Sequence, residues 1–145
     1  MKSALAIVFL FLTSQAPSIP KNNPNGIWES ASGTQYQLQL TGTDLKVQLV
    51  PGSNPRYVAY EVNLKNSADE TNTYVGSGSF TAKVKINGED KECKYDTVWQ
   101  LVVVQSNHII GATSDITPVP NSCQVQERHD PPNEPKAASL TLTKK

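Results

Sequence analysis

The sequence predicts an all-β protein, an antiparallel up-and-down barrel of about eight strands, with a two-sheet β-sandwich as the alternative. Three observations predict it. Apolar residues recur with a period of two along most of the chain beyond residue 26, the spacing of strands that bury one face. Turn-forming residues interrupt these runs at short intervals. No segment of that region shows the 3.6-residue period of an amphipathic helix. Short sequential hairpins favour the barrel, because sandwiches usually need Greek-key crossovers.

The chain opens with Met1-Lys2, an apolar run from Ala4 to Leu12, and Ser14-Gln15-Ala16, which offers small residues at the −3 and −1 positions of a peptidase site. Residues 1–16 are therefore expected to be a cleaved signal peptide. The apolar run is too short to span a membrane, which takes roughly 20 residues. Export to an extracellular or periplasmic compartment follows, with no transmembrane segment in the mature protein. Residues 17–25 are polar and broken by Pro20 and Pro24, and read as an extended lead-in. Residues 26–145 form one domain.

Within it, Tyr36, Leu38 and Leu40 alternate with glutamines, and Thr41-Gly42-Thr43 turns the chain into Leu45, Val47 and Leu49. Pro51-Gly52-Ser53-Asn54-Pro55 is a loop. Val58, Tyr60, Val62 and Leu64 give the next inward row. From Thr73 to Ile86 the inward set is Tyr74, Gly76, Gly78, Phe80, Ala82 and Val84, and inward glycines on a long strand mark a coil or bend. Asn87-Gly88 is a type I′ hairpin turn, where both central residues need positive φ. Cys93, Tyr95, Thr97, Trp99, Leu101 and Val103 share one face of the next strand. Ile110, Ala112, Ser114 and Ile116 return. Cys123, Val125 and Glu127 open another strand, His129 to Pro135 is a stiff loop, and Ala138, Leu140 and Leu142 close the sheet.

Cys93 and Cys123 are the only cysteines, and in an exported chain they are expected to pair. In a meander their strands are two apart, roughly 10 Å, so the bridge must form beyond the end of the strand between them. Formal net charge is zero, and loss of residues 1–16 removes one lysine to leave −1. That balance excludes the electrostatic footprint of a nucleic-acid binder. No H-x-x-x-H or C-x-x-C spacing is present, so neither a metal site nor a cofactor is expected. His108 and His129 fall in a turn and a loop, no G-x-S-x-G elbow exists, and no catalytic residue is assigned. A carboxylate pair would have to come from Glu29, Glu61, Asp96 or Glu127 meeting in space.

Inward aromatics are the best functional lead. Tyr36, Tyr60, Tyr74, Phe80 and Trp99 are the candidate ligand-binding residues, with Tyr95 on the same phase. Tyrosines combine apolar area with a hydrogen-bonding tip, as pockets require; the same rings could equally fill a closed interior.

Gly26-Ile27-Trp28, just ahead of the first long strand, resembles the G-x-W motif that opens lipocalin, fatty-acid-binding and avidin-type barrels, the calycins. The resemblance implies a barrel whose closed floor the tryptophan crosses. It departs from lipocalins at Thr113-Ser114-Asp115, which does not reproduce their T-D-Y-type motif, and in the late arginine that stacks on the tryptophan, for which Arg128 is the candidate. The chain ends in Lys144-Lys145 without a C-terminal helix, so shorter avidin-like barrels fit better, and the biotin-binding pattern is not matched. The fold is carried over and no ligand is. The expected function is a secreted non-enzymatic binding protein whose partner is a small apolar ligand. The alternatives are an interaction or inhibitor protein that has a filled core and acts through its Pro51–Arg56 and His129–Lys136 loops, and a small hydrolase.

Overall fold

A computed structural model describes residues 22–68, 70–126 and 137–145. The expected signal peptide, the front of the lead-in, and the segment holding Glu127, Arg128, His129 and the proline loop lie outside the described residues. Eight strands follow in order: β1 (Gly26–Ser30), β2 (Gln35–Thr41), β3 (Asp44–Leu49), β4 (Tyr57–Ser67), β5 (Glu70–Ile86), β6 (Glu89–Gln105), β7 (His108–Ser114) and β8 (Ala137–Lys144). Each pairs antiparallel with the next, and β1 pairs with β8 to close the barrel. Closure sets aside the sandwich alternative and leaves no open sheet edge along the paired seam.

Inward residues of all eight strands make one core. Trp28, Leu38, Leu45, Val47, Val62, Leu64, Leu101, Val103, Ile109 and Leu142 are essentially inaccessible. Trp28 crosses one end. Its Nε1 donates to the Pro24 carbonyl at 2.8 Å, and the Lys144 ammonium sits 5.9 Å from its ring centre. A cation over an indole face is attracted by the ring quadrupole. Lys144 thus places a late cation at the tryptophan; the Arg128 candidate lies outside the described residues. The lead-in is tied under the same end, where Asn25 Oδ1 accepts from the Leu40 amide at 2.6 Å.

Register is irregular in three places, at Tyr57/Ala59 and Asn66/Ser67 on β4 and at Val103/Gln105 on β6, and two of them bear on the expected inward rows. On β4 the pairing steps from Tyr57↔Ala82 to Ala59↔Thr81, so one extra residue is accommodated as a bulge. Val58, expected inside, is 43% exposed, and Tyr57 packs against the core instead. On β7 the inward isoleucine is Ile109, fully buried, while Ile110 is 43% exposed. An irregularity between Val103 and Gln105 resets the phase there, and two adjacent isoleucines satisfy either phase by composition.

A third correction concerns Cys123. Its segment is not a barrel strand: β7 pairs directly with β8, and residues 117–126 fold on themselves. Val119 N–H donates to the Gln124 carbonyl and Gln126 N–H to the Thr117 carbonyl. Pro118 and Pro120 have no N–H to give a ladder, which restricts the segment to this short pairing.

β5 and β6 are each 17 residues long, roughly 55 Å at strand rise, and pair from Thr73↔Val102 to Ile86↔Glu89. β4 leaves β5 after Ala82, and β7 leaves β6 after Trp99. The hairpin therefore projects beyond the barrel and needs its own support. A second cluster provides it: Ala82, Cys93 and Tyr95 are buried against Tyr57, Phe80, Val84, Ile86 and Ile116. The Cys93–Cys123 disulfide, with Cα atoms 5.4 Å apart, clasps the 117–126 segment onto this face, past the end of β7 as the sequence requires. Joining residues 30 apart is worth about 3–4 kcal/mol in the chain-entropy model.

Gly76 and Gly78 face inward on β5, where the backbone of β4 crowds them. A methyl group on Gly76 would lie 2.8 Å from Leu64 Cα, and one on Gly78 2.6 Å from Val62 Cα, each also striking a β4 carbonyl oxygen. The space these glycines create is taken up by a neighbouring strand's backbone, as at a sheet bend. Gly78→Ala is expected to lower stability by about 2–3 kcal/mol. Ser79→Ala, one residue along, should stay within about 0.5 kcal/mol. Urea denaturation of both variants checks the contrast.

Candidate ligand-binding site

The β1–β8 seam is short. It runs from Trp28↔Lys144 to Ser30↔Leu142, whereas β8 begins pairing with β7 at Ala137. Along residues 137–141 no described strand lies on the β1 side of β8. The β1–β2 turn, Ala31 to Thr34, faces this gap across a cavity of about 300 Å³. The gap forms because β1 ends early, while the Pro51-containing loop holds the turn up beside it. Ser53 Oγ accepts from the Gln35 amide at 3.1 Å, Val50 N–H donates to the Gln35 carbonyl, and Asn54 Nδ2 donates to Thr34 Oγ1 at 2.8 Å.

The cavity has two kinds of wall. Tyr36, Tyr57, Tyr60, Trp99 and Leu140 supply rings and apolar surface, while Ser30, Ser32, Thr34, Thr113, Ser139 and Thr141 supply hydroxyls. Ser30, Ser32 and Thr34 form a hydrogen-bonded chain of hydroxyls with links of 2.9 and 3.1 Å. The rings hold one another. Tyr36 meets Tyr60 and Trp99 edge-on at 5.5 and 5.4 Å, and Tyr57 meets Tyr60 edge-on at 5.6 Å. Such edge-to-face pairs are worth about 0.5–1.5 kcal/mol each beyond burial. Trp99 Nε1 donates to the Tyr60 hydroxyl at 3.2 Å, which leaves that oxygen's own proton to be donated elsewhere.

Of the five residues predicted to bind ligand, three converge here: Tyr36, Tyr60 and Trp99. Phe80 stands behind them, stacked on Tyr60 with centroids 4.8 Å apart and planes 10° from parallel. Tyr74 is 1% exposed in the main core and does not line the cavity. Tyr57 is the residue that alternation missed, because the bulge at Val58 turns it inward. Bulges at barrel rims re-aim side chains in this way, and nothing in a period-two pattern announces them. Of the carboxylates weighed for acid–base chemistry, Glu127 lies outside the described residues, and Glu29, Glu61 and Asp96 do not gather at the cavity. Glu29 bonds Gln35 and Lys145 on the outer side of β1, and Glu61 pairs with Lys46 at 3.5 Å on the outer face of the β3–β4 pair. Asp96 sits across β5 from Glu61, with Ser79 between them in register.

Burial controls the phenols. It pushes Tyr36 far above the usual tyrosine range, with the neighbouring Tyr60 and Tyr57 adding to the shift. It pushes Tyr60 up to about 12, opposed by the hydrogen bond from Trp99. Both are neutral donors at physiological pH. Compared with known proteins, the chain matches no family model, no curated protein and no solved structure. The closed eight-stranded antiparallel barrel is compatible with the calycin resemblance.

The raised phenols link stability to alkaline pH. An unfolded tyrosine ionises near 10, whereas folded Tyr60 holds its proton to about 12. Above pH 10 the unfolded state binds fewer protons, so stability is full below that pH and falls as pH rises toward 12. Tyrosinate absorbance and circular dichroism should therefore change together in that window. Tyr60→Phe keeps the ring and orphans the Trp99 N–H; it is expected to cost about 1–2 kcal/mol in urea melts at neutral pH.

Proposed function

We propose that the chain is a secreted, non-enzymatic binding protein that takes a small amphiphilic ligand at the barrel mouth. The observation that carries this reading is the cavity of about 300 Å³ with aromatic rings on one side and hydroxyls on the other. That volume stands at the small end of ligand sites. The deeper interior is filled by Trp28, Leu38, Val47, Val62, Tyr74 and Leu101. A long acyl chain is therefore a poor fit. A compact molecule with one apolar face for the rings and polar groups for the hydroxyls is a good one. The disulfide suits an oxidising compartment, which supports the expectation of export from the first 16 residues.

The filled interior also favours a second reading, in which the protein binds a partner through its loops. The Pro51–Arg56 loop is held by the Val50, Ser53 and Asn54 hydrogen bonds and by Asn54 Oδ1, which accepts from the Arg56 amide at 2.9 Å. A rigid loop loses little entropy on docking.

One titration separates the two. In a Trp28→Phe background Trp99 is the sole tryptophan reporter. Its fluorescence is expected to respond saturably to members of a panel of small aromatic and hydroxylated compounds. Tyr57→Ala should weaken that response about tenfold, the equivalent of about 1.4 kcal/mol, and Tyr74→Phe should leave it unchanged. A flat response across the panel, with no small molecule retained in native mass spectra, would sink the mouth reading and leave the loops.

A further inference from the structure

The β8 edge beside the mouth cavity carries main-chain groups that no described strand bonds. Lys145 N–H donates to the Ile27 carbonyl on β1 at 2.9 Å, and Lys144 N–H donates to the Asn107 carbonyl just ahead of β7 at 3.2 Å. Main-chain groups of an antiparallel strand alternate between its two neighbours. The N–H and C=O of Thr143, Thr141 and Ser139 therefore point to the β1 side, and those of Leu142 and Leu140 to β7. Thr143 meets Glu29 there. Beyond that pair β1 turns away: the Ser30 amide donates to the Thr34 carbonyl, and the Ser30 carbonyl accepts from the Gly33 amide. Thr141 and Ser139 thus present both backbone groups to the gap, with no backbone partner on that side among the described residues. Three features mark this edge as a place for a further strand. Ser139 and Thr141 lie on the outer phase of β8 and Leu140 on the inner, yet all three border the same cavity, so the cavity runs along the strand's edge. Exposed edges are usually blunted by lysine, proline or a bulge, whereas residues 137–141 read Ala-Ala-Ser-Leu-Thr and pair with β7 in unbroken register. No charged side chain is among the residues lining the cavity, so a peptide terminus has no counter-ion there.

We infer that the mouth ligand is an uncharged stretch of extended peptide that adds to β8 as a strand, in line with β1; this rests on the mouth reading above and names its ligand class. Residues directly opposite each other in an antiparallel pair share a face. The peptide residue opposite Leu140 therefore turns inward, onto Tyr36, Tyr57 and Trp99, and its two neighbours exchange hydrogen bonds with Thr141 and Ser139. The fit calls for an aromatic or apolar residue between two small polar ones. Main-chain bonding gives the affinity and the ring pocket chooses the side chain, as in strand addition generally.

The test uses the oxidised mature protein and the uncharged peptide acetyl-Thr-Phe-Thr-amide. In the free protein the Ser139 and Thr141 amides are expected to exchange with deuterium fast, and those of Leu140 and Leu142 slowly. Saturating peptide should slow Ser139 and Thr141 about tenfold or more. In the Trp28→Phe background the peptide should change Trp99 fluorescence saturably, and methylating both of its threonine nitrogens should weaken binding about tenfold or more. Ser139→Pro removes a donor on the gap side, where an edge strand tolerates proline. It should keep the circular dichroism of the parent and the Trp99 response to small compounds, and lose the response to peptide. The inference is overturned if Ser139 and Thr141 are already protected in the free protein, if saturating peptide leaves them unprotected, or if the N-methylated peptide binds as well as its parent. If the small-compound panel still moves Trp99 in those cases, the mouth reading stands without a peptide; if it does not, both readings fall.

Discussion

The structure depends on how closely β4 can approach β5. A meander of eight strands closes only if the sheet bends enough for its first and last strands to meet, and here the bend is concentrated at Gly76 and Gly78. Leu64 and Val62 lie opposite them in register, and the β4 backbone occupies the volume where side chains would otherwise stand. Gly111 on β7 does the same at the β6–β7 seam, where an added methyl group would meet the Gln100 carbonyl oxygen and the Leu101 side chain. The first seam lies one strand away from β6, and the second borders it. Trp99, the largest side chain of that strand, pairs in register with Gly76 on one side and Thr113 on the other. The small neighbours let the sheet fold around it.

From that bend follows the division of the molecule into two compartments. Below it, the barrel is filled and sealed by Trp28, with Lys144 over the ring and the Asn22–Asn25 lead-in beneath. Above it, β5 and β6 continue without barrel neighbours and carry their own small core. The stacked Phe80–Tyr60 pair stands at the boundary, linked to the mouth through Tyr36 and Trp99 and to the projecting hairpin through Tyr95. A ligand at the mouth would rest on rings that are themselves braced against the hairpin. The aromatic floor is thus preorganised by packing, which keeps down the ordering cost of binding.

Much of the fold was legible because a half-buried strand writes its two faces directly into the sequence. The inward rows of β2, β3 and β6 follow alternation residue by residue, and Asn87-Gly88 places the hairpin turn, with positive φ at both residues. The cysteine pairing followed from there being only two. Alternation failed at Val58 and at Ile110, in both cases beside a register irregularity. A bulge shifts phase by one residue without any change in composition, so a pattern read along one strand cannot see it. The Cys123 segment was misread for a related reason: Cys123 and Val125 alternate as a strand would, but which neighbour such a segment pairs with is not a local property.

The sequence by itself determined the all-β class, the sequential hairpins from β2 to β7, all of the inward aromatic set but Tyr57, the cysteine pair and the turn at Asn87-Gly88. Each of these depends on local periodicity, on backbone preferences or on simple counting. The tertiary structure decided which aromatics share a cavity, that Tyr57 joins Tyr36, Tyr60 and Trp99 while Tyr74 stays apart, and that residues 117–126 fold on themselves instead of joining the sheet. Those outcomes depend on inter-strand register, on where β1 stops relative to β8, and on how far β5 and β6 outrun their neighbours. All three are set by pairing between residues distant in the chain, and no single strand's pattern records them.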